Sequence, residues 1–272
     1  MQPNHRQRIV TAIFMVPIAL GVVIFAPPPL LGLAVAALTI GTLSEYLNLA
    51  AKAHLEPLRL PAYAMAGLLV VLPGFGIHIP LEALFVLVVL TLVMTPGRDL
   101  VTSAAGSAST LFGILYIGLP FAILVDLRQQ PGGHLLVIYV MVMIWIGDTA
   151  AYYGGRFLGR GGIHKLAARI SPGKTWEGTI TSLVVVTAAG YVYMKYAFPD
   201  MPLPASLFIA ATVNVAGQIG DLAESALKRG VGVKDSGTLL PGHGGLLDRV
   251  DALLFAIPAL WYDMKVVAFF HQ

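Results

Sequence analysis

Long apolar runs recur along the whole chain, separated by short segments rich in Pro, Gly and charged residues. A run of about 20 apolar residues is what an α-helix needs to cross the hydrocarbon core of a bilayer. The pattern predicts about nine spans, over residues 9–26, 30–50, 61–79, 81–95, 103–126, 134–153, 178–198, 204–227 and 247–269. The fourth is short and the third contains Gly and Pro, so either could be re-entrant or tilted. We therefore predict an all-α, polytopic integral membrane protein.

Composition supports this class. The chain of 272 residues is 57% hydrophobic and 11% charged, with a mean hydropathy of +0.80, whereas soluble domains are roughly half apolar and about a quarter charged. The absence of cysteine excludes disulfides, zinc–thiolate sites and thiol catalysis. The first apolar run is longer than the core of a signal peptide and no cleavage pattern follows it, so we expect an uncleaved first helix.

The basic residues are distributed asymmetrically between the two sides of the predicted membrane domain. With the N-terminus in the cytoplasm, 14 of the 17 Lys and Arg residues fall inside, and only Arg128, Lys195 and Lys265 fall outside. This bias follows the positive-inside rule and predicts an N-in, C-out topology. Topology thus explains most of the basic charge, and we expect no nucleic-acid partner.

Two predicted cytoplasmic loops, 154–177 and 228–246, hold much of this charge. The first contains "PGKT", but Ala168 stands where a Walker phosphate-binding loop requires Gly, and that loop also needs a preceding strand. Ser171, Lys174 and Thr175 precede a predicted helix whose free N–H groups suit an anion. The alternative is that Ser171 or Thr175 simply caps that helix, and the sequence favours neither interpretation.

The eighth span carries a polar stripe. Its members recur at intervals of three and four residues, which places them on one face of a helix: Asn214, Gln218, Asp221, Ser225 and Lys228. Asp248 and Asp251 begin the ninth span, and Asp148 lies near the cytoplasmic end of the sixth. Ionisable groups inside membrane helices are costly, so by default they indicate function.

Several carboxylates beside Lys and Arg indicate a particular chemistry. Carboxylate oxygens suit a hard cation such as Mg²⁺, and Lys, Arg and Gly-rich backbone suit phosphate. Together they predict phosphoryl or nucleotidyl transfer. A membrane transporter is the alternative, since it also uses intramembrane carboxylates and Gly-broken helices. Its polar site usually lies near the bilayer midplane, whereas these carboxylates lie at the cytoplasmic end.

The residues of the second loop resemble a family signature. It runs over Ser225, Lys228, Arg229, Lys234, Asp235, Pro241, Gly242, His243, Gly244, Gly245, Asp248, Arg249 and Asp251. This pattern is similar to that of the phosphatidate cytidylyltransferase (CDP-diacylglycerol synthase) family. The second marker of the family, S-P-x-K-T-x-E-G, matches residues Ser171 to Gly178.

The resemblance implies a reaction in which CTP and phosphatidate give CDP-diacylglycerol and pyrophosphate. It also implies a Mg²⁺-dependent enzyme of phospholipid biosynthesis, with a second cation as an option. The enzyme would be a homodimer spanning the bacterial inner membrane several times, with its active site facing the cytoplasm. In this organisation the chain is a single membrane domain, in which residues 1–130 supply five spans and residues 131–272 supply the catalytic helices and loops.

The resemblance also implies roles for individual residues. The metal ligands would be Asp221 and Asp248, with Asp251 as a further candidate, and Lys228 and Arg229 would act with the two first-named aspartates in catalysis. The candidates for substrate contact are Ser171, Lys174, Thr175, Ser225, Lys234, Asp235, His243, Gly244, Gly245, Arg249 and Asp148. For His243, a hydrogen bond to phosphate or nucleobase is at least as well supported as a general-base role.

Overall fold

The computed structural model describes residues 5–77, 86, 99–159, 162–239 and 244–270. These residues are predominantly helical. The first elements are α1 (His5–Phe25), α2 (Pro28–Lys52) and α3 (Arg59–Val71), which continues into a 3₁₀ turn, Leu72–Phe75. A π-helical turn, Ile114–Gly118, joins α4 (Leu100–Gly113) to α5 (Leu119–Gln129). There follow α6 (Gly133–Leu158), β1 (Lys165–Ala167), β2 (Ser171–Thr175), α7 (Trp176–Ala197), α8 (Leu203–Gly230) and α9 (Leu247–Phe270).

The helices confirm the predicted all-α class. In the described part of the chain, six helical segments are long and apolar enough to cross a membrane: α2, the continuous α4–α5 segment, α6, α7, α8 and α9. Two shorter apolar segments, Ile13–Phe25 and Arg59–Phe75, coincide with the predicted first and third spans. The predicted span 81–95 lies outside the described residues except for Val86. The count of nine and the N-in, C-out orientation stay predictions.

The region predicted as the loop 154–177 is more ordered than expected. Helix α6 continues to Leu158, and β1 and β2 form an antiparallel hairpin in which Lys165 pairs with Thr175. Lys174 and Thr175 lie within β2 itself, whereas the Lys of a Walker motif follows its strand in a glycine-rich loop. The structure therefore supports the rejection of a Walker motif, although a strand does precede the helix.

The chain divides into two compact units. The first contains residues 1–131 and 230–249, and the second contains residues 132–229 and 250–272. Fully buried side chains of the first include Leu43, Leu47 and Phe121, and those of the second include Tyr139 and Ile209. The predicted assignment of residues 131–272 to catalysis stays a prediction.

Small residues bring α6 and α7 close together in the second unit. A side chain at Gly178 would place its Cβ 2.6 Å from the carbonyl oxygen of Ala151 on α6. Gly154 likewise lies directly against Thr181 of α7. Small residues at helix interfaces allow the backbones of membrane helices to approach closely. This close approach sets the distance between α6 and α7, which both border the cavity of the candidate active site.

Candidate active site

A cavity of about 300 Å³, lined by both polar and apolar residues, lies within the second unit. Helices α6, α7 and α8 and strand β2 form its walls, and Ala252 of α9 completes them. Its lining residues with charged side chains are Asp148, Lys174 and Asp221, which had all been predicted as site residues. Asn214 and Gln218 of the polar stripe also line it.

An ion pair spans this cavity. Lys174 Nζ of β2 lies 2.7 Å from Asp221 Oδ2 of α8, and the two side chains are 24% and 36% exposed. Ser225, one turn further along α8, donates a hydrogen bond of 3.4 Å to the other oxygen, Asp221 Oδ1. Partial exposure keeps the pair accessible to a ligand, and the lysine supplies a positive charge directly beside the carboxylate.

Two further carboxylates share the surroundings of Asp221. Asp148 of α6 and Asp251 of α9 interact electrostatically with Asp221 and with each other. Lys228 contributes an opposite charge near Asp251. Like charges in a poorly solvated environment repel, and a cation relieves that repulsion. The group is therefore suited to hold positive charge.

Asn214 and Gln218, the first two residues of the polar stripe on α8, belong to a hydrogen-bonded chain. Asn214 Nδ2 donates to Ser182 Oγ of α7 at 2.8 Å, and Gln218 Nε2 donates to Asn214 Oδ1 at 2.6 Å. These bonds satisfy polar groups that would be costly inside the membrane. They also fix the rotation of α8, which turns Asp221 toward the cavity.

The basic pair at the end of α8 is engaged by the protein itself. Lys228 Nζ lies 2.6 Å from Glu224 Oε2, and the Glu224 side chain is only 1% exposed. Arg229 Nε donates to the carbonyl oxygen of Ile170 at 3.3 Å, joining the end of α8 to the turn of the hairpin. Both residues therefore have structural contacts besides the catalytic roles that the resemblance implies.

Thr175 caps α7. Its Oγ1 accepts a hydrogen bond of 3.2 Å from the backbone N–H of Gly178, and Thr175 is buried. Of the two interpretations left open by the sequence, the structure shows the cap. Ser171 lies at the start of β2 and is half-buried.

The remaining predicted residues belong to the first unit. Asp248 Oδ2 accepts three hydrogen bonds, from Ser236 N at 3.0 Å, Ser236 Oγ at 3.0 Å and Gly245 N at 2.8 Å. Gly244 has a φ of 78°, which favours glycine. Lys234, Asp235 and Arg249 are exposed. His243 lies outside the described residues.

The donor chemistry fits Mg²⁺, although the ligands are not assembled as a preformed cluster. Within the described ranges, no group of three or more His, Asp or Glu side chains has a geometry that could hold a metal ion. Oxygen donors are nevertheless what Mg²⁺ prefers, and Mg²⁺ sites commonly combine one or two carboxylates with water and substrate phosphate. Asp221 and Asp251 in the second unit match that requirement.

Two residues that form hydrogen bonds around Asp248 and the start of α9, Glu45 and Ser236, had not been predicted from the sequence. Glu45 of α2 is 4% exposed. It accepts hydrogen bonds from the segment that carries the family signature over residues 225–251. A signal was available, since Glu45 is an ionisable residue inside the predicted span 30–50. No comparable signal marked Ser236, because Ser is common in loops.

Comparison with known proteins gives a consistent result. A model of the cytidylyltransferase family matches residues 6–267. The chain is 40% identical over 154 residues to a phosphatidate cytidylyltransferase of Staphylococcus saprophyticus, covering 57% of each protein. It is 41% identical over 149 residues to that of Bacillus subtilis, covering 54% of each. The protein of the same name from Haemophilus influenzae is 37% identical over 134 residues, or 46% of its length. The matches thus span about half the length of these relatives.

Proposed function

Because this chain belongs to the cytidylyltransferase family, we propose that it transfers CMP from CTP to phosphatidate, giving CDP-diacylglycerol and pyrophosphate. The observation that carries the proposal is the Lys174–Asp221 pair in a cavity that Asp148 also lines, with Asp251 close enough to interact with both aspartates. Relatives named phosphatidate cytidylyltransferase support the choice of substrates. Such a cavity offers both the positive charge that phosphates need and the carboxylates that a divalent cation needs.

The proposed reaction is a displacement at phosphorus. The phosphate monoester of phosphatidate is largely dianionic near neutral pH, because its second pKa is about 6. One of its oxygens forms a bond to the α-phosphorus of CTP, the bond to the bridging oxygen breaks, and pyrophosphate leaves with the electron pair. The nucleophile needs no strong general base, so the task of the protein is to bring two anions together.

In this proposal Lys174 neutralises phosphate oxygens at the cavity, and Lys228 and Arg229 extend positive charge to its edge. Preorganised charges of this kind stabilise the transition state without reorganisation during the reaction. Asp221 keeps Lys174 in place through their 2.7 Å contact. Ser225 in turn orients Asp221 through its hydrogen bond.

We further propose that Mg²⁺ is held by Asp221 together with Asp251. When bound, it would supply charge neutralisation at the phosphates, and a second cation is compatible with the number of carboxylates. The sequence also predicts Asp248 as a metal ligand. Asp248 already accepts three hydrogen bonds from its own segment, so its role as a ligand stays a prediction.

The proposal places the enzyme in a bacterial inner membrane as a homodimer, with the cavity open to cytoplasmic CTP. The bacterial relatives and the apolar helices support the membrane location. The transporter alternative has no comparable support, since the matched family and the named relatives are transferases.

The direct test is product formation by the purified protein. Incubation with cytidine-labelled CTP, phosphatidate in mixed micelles and Mg²⁺ should give a labelled lipid that migrates as CDP-diacylglycerol, with one pyrophosphate released per lipid. Omission of phosphatidate is the matched control and should abolish both products. Absence of labelled lipid from well-folded protein, or pyrophosphate release without phosphatidate, would refute the proposed activity.

A further inference from the structure

Glu45 is a buried carboxylate in the last third of the apolar helix α2. It lies on α2, in the first unit, and is 4% exposed. Neither family motif contains it, and the reaction proposed above does not use it. A buried carboxylate is costly unless its oxygens are hydrogen-bonded. The partners of Glu45 therefore indicate why the residue is there.

Glu45 accepts hydrogen bonds from the segment that leads into α9 and from the first residue of that helix. Its Oε2 accepts from Ser236 Oγ at 2.8 Å and from Leu247 N at 2.9 Å. Its Oε1 accepts from Leu246 N at 3.0 Å. Backbone N–H groups at the start of a helix lack intrahelical partners and favour negative charge. Glu45 thus caps α9 from a different helix.

Ser236 connects Glu45 to Asp248, a residue of the family signature over residues 225–251. Its hydroxyl lies 2.8 Å from Glu45 Oε2 and 3.0 Å from Asp248 Oδ2. The backbone N–H of Ser236 also donates to Asp248 Oδ2 at 3.0 Å. One small side chain therefore ties the carboxylate from α2 to the first turn of α9.

The glycines around Glu45 show that the fit is close. A side chain at Gly237 or Gly245 would collide with the Glu45 carboxylate. At Gly245 the same side chain would also meet Ser236 Oγ. The absence of a side chain at position 245 is thus required by Glu45 itself, and the motif glycine serves this packing whether or not phosphate also approaches it.

From these contacts we infer that Glu45 is a positioning residue for the transferase reaction, acting through Ser236 and the N-terminus of α9. The inference rests on the proposed function, and it adds an N-terminal helix to the parts of the chain that the reaction needs. Glu45 holds Ser236, Leu246 and Leu247 in place, and through Ser236 it sets the orientation of Asp248. It touches no substrate in this role.

The test compares Glu45→Gln with Thr42→Val, a near-isosteric change at a fully buried residue on the same helix. The Gln amide has one acceptor, so in either orientation its NH₂ group opposes one of the backbone N–H donors. Amide exchange at Leu246 and Leu247 should then rise by about tenfold or more, since loss of a buried acceptor weakens those bonds. Exchange in α5 should stay unchanged in both variants.

Activity supplies the second readout. We expect kcat per folded molecule of Glu45→Gln to fall by about tenfold or more, because misplacing a reacting constellation lowers the rate. Thr42→Val should keep the kcat of the wild type. Ser236→Ala removes one donor and no charge, so it serves as a milder variant if Glu45→Gln does not fold. In the double variant the losses should be less than multiplicative, because both residues act in one network.

The outcomes separate this inference from the proposed function. Unchanged exchange at Leu246 and Leu247 in Glu45→Gln would overturn the inference, whatever reaction the protein catalyses. Raised exchange with an unchanged kcat would reduce Glu45 to a structural residue and also overturn it. A wild-type protein without transferase activity would refute the proposed function, while the exchange data would still report on the contacts of Glu45.

Discussion

Lys174 and Asp221 illustrate how single residues define the candidate site. They lie far apart in the sequence, on β2 and α8, and meet at 2.7 Å in the cavity. Each had been selected from the sequence for a separate reason, Lys174 for its position before a helix and Asp221 for its place in a polar stripe. Their contact means that removal of either charge leaves the other without this partner, so the two substitutions should have related effects.

Lys174→Met should lower kcat/KM for CTP by about tenfold to a hundredfold, since a positive charge preorganised for phosphate is lost. Lys165→Met, at an exposed lysine of β1 in the same hairpin, is the matched control and should stay near wild type. Steady-state kinetics on protein that elutes as a single species measures both. Equal activity of the two variants would show that Lys174 contributes no catalytic charge.

Asp221→Asn should lower kcat by at least about a hundredfold, because a metal held there as proposed would supply several kcal/mol of transition-state stabilisation. We also expect Mg²⁺ to raise the melting temperature of the wild type but not that of Asp221→Asn, on which EDTA should have no effect. Asp200→Asn, at an exposed aspartate between α7 and α8, is the control. An Asp221→Asn protein with normal Mg²⁺ dependence would rule out this ligand.

At the scale of elements, the hairpin β1–β2 and the start of α7 are joined by direct contacts. β2 ends at Thr175, and the hydroxyl of that residue caps the helix that begins at Trp176. The strand therefore delivers Lys174 to the cavity wall, while the next residue fixes the helix. His164, just before β1, contacts Glu177 in the first turn of α7. The hairpin is held at both ends, which limits the movement of Lys174.

Replacement of Thr175 tests this division of roles. Thr175→Val keeps the shape but removes the hydroxyl, and loss of an N-cap typically costs about 1 kcal/mol of stability. We expect a lower melting temperature with kcat/KM per folded molecule close to wild type, and restoration of stability in Thr175→Ser. A loss of CTP affinity in Thr175→Val that exceeds the loss of folded protein would instead assign the hydroxyl to substrate binding.

At the scale of the whole molecule, several helices have the length and hydropathy of a membrane span. Each segment that connects two of them must then lie on one side of the membrane or the other. The distribution of Lys and Arg makes this assignment from the sequence. It predicts that the hairpin, and with it Lys174, lies on the cytoplasmic side. The same distribution predicts the opposite side for the connections after α5 and after α7.

Single cysteines test the orientation, since the natural chain has none. Gln130→Cys and Asp200→Cys, both at exposed positions, should react with an impermeant thiol reagent added from the periplasmic side. Ala168→Cys, in the exposed turn of the hairpin, should react only after the membrane is permeabilised. Labelling of Ala168→Cys from the periplasmic side of an intact membrane, with no labelling of Gln130→Cys or Asp200→Cys, would show the inverse topology.

The sequence by itself determined the properties that depend on local pattern. Apolar run length predicted the positions of eight helical segments, counting α4 and α5 as one, and a three-and-four spacing put Asn214, Gln218 and Asp221 on one face of α8. Helix periodicity and membrane thickness act over neighbouring residues, so these features are readable without a fold. The chemistry of the site followed from the same residues, since carboxylates and lysines near one membrane depth suit few ligands other than cations and phosphates.

Tertiary structure alone decided which distant groups meet. The Lys174–Asp221 pair joins two elements, and the Ser236–Glu45 bond joins residues 191 positions apart. The lengths of α6 and the hairpin β1–β2 were also missed, because glycine-rich, charged segments carry no clear periodicity. Such contacts depend on how helices pack, through small residues such as Gly154 and Gly178. No spacing along the chain encodes that packing, so the sequence could mark Glu45 as an ionisable residue in an apolar run but could not identify its partners.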